Sequence, residues 1–135
     1  PNRLEIALNE GVTVIAAHAC SYGLMLYERF LPVLLDFSKR YPNFYADISA
    51  LTLPNRFRML LHLRRHPEIH DRLLFGTDYP LSVMHVAAWG RLAFRTLGRL
   101  IRTTNRFDRQ YAVCTSLGVA FKSFEALLEK RPQSP

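Results

Sequence analysis

The nine residues Arg72-Leu73-Leu74-Phe75-Gly76-Thr77-Asp78-Tyr79-Pro80 constrain the fold more than any other stretch. A short apolar run stops on a glycine and then presents one acid just before a proline. Leu73, Leu74 and Phe75 suit a parallel strand covered on both faces. Gly76 permits close backbone approach, and Pro80 cannot continue a central strand. The sequence therefore places Asp78 at the C-terminal end of a strand, where α/β barrels keep their chemistry.

A second strand end lies upstream. Gly11-Val12-Thr13-Val14-Ile15-Ala16-Ala17-His18 is a β-branched run that finishes on a histidine. Between the two runs, residues 43–50 form a third strand candidate with Tyr45, Asp47 and Ser49 on alternate positions. Helices are expected at residues 3–10, 32–40, 56–65, 83–102 and 121–130. Gly11 would end the first helix, Pro32 would open the second, and Pro67 would stop the third. Strands alternating with helices argue an α/β fold with a parallel sheet.

Read from its neighbours alone, Asp78 is equally well explained as a turn or capping aspartate. A lone histidine after an apolar run is more often a buried, hydrogen-bonded residue than a ligand. Asp47 suits an orienting partner for a ligand or a structural acid.

Three segments together change that balance: residues 14–20 ending in His18, Ala19 and Cys20, residues 41–51 around Asp47, and residues 71–81 around Asp78. They resemble the last strands of the amidohydrolase superfamily, in its amidohydrolase-related group of metal-dependent hydrolases and some nonoxidative decarboxylases. The resemblance implies the C-terminal portion of a (β/α)8 TIM barrel, about three βα units covering strands 6–8. Residues 1–135 would be a single partial domain of a longer protein. It implies that Asp78 binds a divalent metal, zinc first, and shuttles a proton. His18 would either ligate metal or act as acid/base, and Asp47 would support them from behind. The implied reaction is attack of metal-activated water on an amide, ester or lactone of a small-molecule substrate. Decarboxylation on the same site and a non-catalytic truncated association module are the alternatives. Arg106 stands where the family more usually has a proline.

The same resemblance limits what this chain can do alone. The family's His-x-His strand and fifth-strand histidine have no counterpart here, and catalytic zinc usually takes three protein ligands. The isolated chain is expected to be inactive and to bind zinc no tighter than micromolar.

The net charge is +7, which raises the question of an anionic partner. Arg91, Arg95, Arg99 and Arg102 recur at helical spacing opposite an apolar side, which reads as a solvated outer face. No aromatic residues interleave as a base-stacking platform, so nucleic acid is not an expected partner. No apolar stretch approaches the roughly 20 residues that span a bilayer. Cys20 and Cys114 form no short-spaced pair, which favours reduced thiols and a cytoplasmic location. Open sheet edges would favour a homo-oligomer. His62, His66 and His70 are four apart, but Pro67 should take His70 off the helix face. His85 follows the Asp78 strand closely and suits a packing role or a pocket wall.

Overall fold

The computed structural model describes residues 2–23, 27–85 and 88–128. Helix α1 (Asn2–Asn9) leads through Gly11 (φ 78°) into strand β1 (Val14–Ala16). Asn43 holds that turn, its Nδ2 donating to Leu8 O at 2.9 Å and to Val12 O at 2.8 Å. Helix α2 (Leu31–Arg40) begins with Pro32 in its first turn, where a missing N–H costs nothing. Strand β2 (Phe44–Asp47), helix α3 (Phe57–Leu63), a 3-10 turn over Pro67–Arg72 and strand β3 (Leu73–Leu74) follow. Helices α4 (Phe94–Arg102), α5 (Arg106–Ser116) and α6 (Glu125–Leu128) complete the described chain.

The strands form one parallel sheet in the order β1-β2-β3. Ala46 is the pivot of the register, opposite Ala16 on one side and Leu73 on the other. Phe44, Leu34, Leu51, Met59, Leu60, Leu63, Ile69, Leu73, Leu100 and Val113 are buried in one core. Burying each large apolar side chain contributes about 1.5–3 kcal/mol, so helix packing, rather than the few ladder bonds, holds the sheet.

The α/β class stands, but the barrel reading is overturned. The sheet is small and open, and β3 has two residues. Beyond β3 the next partner is no further strand but a single bridge to Lys122. There Phe75 N donates to Lys122 O and Lys122 N to Leu73 O, both at 2.8 Å. The outer edge of β1 carries no partner among the described residues. The expected strand at 12–18 also stops early, because the backbone turns left-handed at His18.

Two helices differ from expectation. Within the segment 83–102 the α-helix begins at Phe94, and Arg91 lies in a turn before it, off the helix that carries Arg95, Arg99 and Arg102; residues 86 and 87 lie outside the described residues. Residues 121–122 are extended against β3, and the last helix begins at Glu125; residues 129 and 130 lie outside the described residues. Helix α5 was not among the expected helices, and its N-cap is Asn105. Asn105 Oδ1 accepts from Phe107 N at 2.9 Å and from Asp108 N at 3.3 Å. No helix among the described residues is long and apolar enough to cross a membrane.

Candidate functional site

The C-terminal ends of the three strands converge, and each ends in strained backbone. His18, Ala19 and Cys20 after β1 have φ of 53°, 49° and 60°; Ala50 beyond β2 has 55°, and Asp78 beyond β3 has 56°. L-residues with a Cβ pay on the order of 1 kcal/mol or more each for this conformation. Such strain persists only where surrounding contacts over-determine it, and it clusters at functional sites.

Asp47 supplies those contacts. Its Oδ1 accepts from His18 N at 3.1 Å, from Ser49 N at 2.9 Å and from Ser49 Oγ. One carboxylate oxygen thereby fixes both the left-handed turn after β1 and the loop after β2. Gly76 is required beside it. A Cβ on Gly76 would meet Ser49 Cβ at 3.3 Å and Asp47 Cβ at 3.4 Å. The buried Gln110 of α5 reaches in from behind, its Nε2 donating to Gly76 O at 2.6 Å and to Ile48 O at 3.3 Å.

These contacts assign the His18 tautomer. Ser49 gives its only hydroxyl proton to Asp47, so its Oγ can only accept from His18 Nδ1, 2.8 Å away. Ser49 O, also an acceptor, lies 3.1 Å from the same nitrogen. Nδ1 therefore carries the proton, and in the neutral ring Nε2 carries the lone pair. Nε2 faces Asp78 Oδ2 at 3.7 Å, with the two side chains partly open to solvent. Two lone-pair atoms face each other across a gap that suits a shared proton or cation.

The structure thus brings together His18, Asp47 and Asp78. Ser49 and Gly76 complete the arrangement; the sequence had Gly76 permitting close backbone approach, and the role of Ser49 was missed. The alternation of Asp47 and Ser49 was a visible signal for Ser49. The bridge from Gln110, 34 residues from Gly76 and 62 from Ile48 in sequence, left none.

A divalent ion fits this pair in part. Metal–nitrogen and metal–oxygen bonds of about 2.0–2.2 Å can together span the gap, and imidazole with carboxylate is a suitable donor pair. Among the described residues no third His, Cys, Asp or Glu joins them to make a group of three. Cys20 borders the site, and its thiol is pushed up to about 11, first by burial and then by the Asp47 charge. It stays a neutral thiol at physiological pH and is neither nucleophile nor ready ligand.

Three of the four remaining histidines have other partners. His70 Nδ1 accepts from Ala120 N at 3.2 Å, so its Nε2 donates to Leu63 O at 2.9 Å. His66 pairs with Glu68 at 2.9 Å. His85 Nε2 lies 3.3 Å from Leu100 O, a packing contact.

No protein-family model, curated protein or solved structure matches this chain.

Proposed function

We propose that this chain carries His18 and Asp78 as part of a divalent-metal hydrolase site acting on an amide, ester or lactone of a small molecule. The observation that carries the reading is the lone pair of His18 Nε2 facing the Asp78 carboxylate at 3.7 Å. The likeness of the three strand-end segments to the amidohydrolase-related group supports it.

His18 Nε2 and Asp78 Oδ2 would hold the ion, with zinc the first choice. The bound ion supplies Lewis acidity toward a carbonyl oxygen and toward water. The Asp78 side chain is partly exposed, and the carboxylate oxygen not holding the ion would accept a proton from a water and return it to a leaving group. His18 cannot turn, because Nδ1 is committed to Ser49, so Nε2 stays aimed at the reacting position. Asp47 acts through Ser49 and the His18 backbone as a positioning residue. Further ligands must join this pair for tight binding, since catalytic zinc usually takes three protein ligands.

Zinc titration followed by imidazole NMR tests the pair directly. Zinc at millimolar concentration should shift the His18 ring resonances, and Asp78→Asn should abolish the shift. Absence of any shift, or a shift indifferent to Asp78→Asn, would falsify the metal reading. The natural gene product, loaded with zinc, should hydrolyse members of an ester and lactone panel. Asp78→Ala should remove that activity.

A further inference from the structure

A cavity that shares no residue with the His18–Asp78 pair lies between α3 and the turn that precedes α4. Its volume is about 300 Å³, and Phe57, Arg58, Leu61, His62, Arg65 and Arg91 line it. That volume is at the lower end of ordinary small-ligand sites. Arg58, Leu61 and His62 share one face of α3, and Arg65 comes from the turn just beyond its end. Arg91 comes from the non-helical segment before Phe94, which is why it leaves the basic face of α4 and points elsewhere.

Among the described residues the lining contains three guanidiniums and an imidazole and no carboxylate. Arg65 forms no ion pair among the described residues. Arg91 Nη1 donates to Trp89 O at 3.1 Å, which fixes the side chain and leaves its other N–H groups to donate. The nearby Glu28 is buried and already accepts from Ser21 Oγ at 3.0 Å and Tyr22 N at 3.2 Å. His62 is held below its usual range, first by burial and then by the Arg65 charge, with Arg58 and His66 adding to it and Glu28 opposing. Arg65 and Arg91 bring positive charge to this partly enclosed cavity, and a ligand with two negative charges complements it.

We propose that this cavity binds a small phosphate monoester with an apolar or ring-bearing body. A phosphate dianion offers three oxygens to the arginine forks, which match phosphate in bidentate geometry. Phe57 and Leu61 form the apolar wall on which the rest of the ligand lies.

Calorimetry on the full chain tests this with phenyl phosphate, inorganic phosphate and benzoate as probes. Phenyl phosphate should bind, and more tightly than either of the other two. Arg65→Gln and Arg91→Gln should each weaken it about tenfold, the loss of one charge-assisted contact. Arg99→Gln, an exposed arginine outside the cavity, should leave the affinity unchanged. No binding of phenyl phosphate at millimolar concentration overturns the proposal. Equal losses in Arg99→Gln and Arg65→Gln also overturn it, since general attraction would then explain the binding. Benzoate binding as tightly would remove the phosphate assignment, and inorganic phosphate binding as tightly would remove the apolar wall.

Discussion

Gly76 shows how little room the site leaves. Its missing Cβ is the space that lets β3 end against Asp47 and Ser49, at 3.4 and 3.3 Å from where that carbon would sit. Both contacts are side-chain carbons anchored close to backbone, so neither can swing aside cheaply. Gly76→Ala should therefore cost about 1–3 kcal/mol, the usual penalty of overpacking, read as a lower urea midpoint. The same variant should weaken the zinc-induced shift of His18, because displacing Ser49 frees the ring nitrogen that it restrains. The glycine itself was visible in the sequence as a strand-end signal. Its contact with Ser49 was not, although alternation with Asp47 was a signal for Ser49; the left-handed turn that follows at Ala50 is one that alanine gives no reason to expect.

At the scale of elements, the short strands were read correctly in position and the helices less so. Val14–Ala16, Phe44–Asp47 and Leu73–Leu74 fall within the apolar runs that announced them. Apolar runs bounded by Gly and Pro carry their own punctuation. The stretch 83–102 misled because Arg91, Arg95, Arg99 and Arg102 keep helical spacing across a boundary that local sequence does not mark; the helix starts only at Phe94. Helix α5 went unread although it braces the site through Gln110. Gln110→Leu removes the donor to Gly76 O and Ile48 O and leaves those carbonyls short of a partner. Thermal denaturation should show a loss of about 1–3 kcal/mol, the cost of a buried unpaired polar group. Gln110→Glu should not rescue it, since a carboxylate cannot donate to a carbonyl.

For the whole molecule, the resemblance pointed to His18 and Asp78, which the fold brings within 3.7 Å of each other, and implied a barrel, which the open three-stranded sheet is not. Motif likeness reports local strand-end chemistry, whereas sheet size depends on which segment takes the edge of β3, here Lys122. The buried thiols make a global prediction about pH. Burial pushes Cys20 up to about 11 and Cys114 up to about 12, from an ordinary value of 9.0. The folded protein therefore keeps its thiol protons after the unfolded chain has lost them. Stability from this source is complete below pH 9 and falls as pH rises from there toward 12. Urea denaturation across that window should show the decline, with a shallower slope in Cys20→Ala. A slope unchanged by that substitution would remove Cys20 as a contributor.

The hydrogen bonds from Gln110 to Gly76 O and Ile48 O join the last third of the chain to the ends of β2 and β3. Linkage works in both directions: a ligand that steadies these strand ends must also steady α5. Zinc should then slow amide hydrogen exchange in Arg106–Ser116, a helix that contributes no ligand of its own.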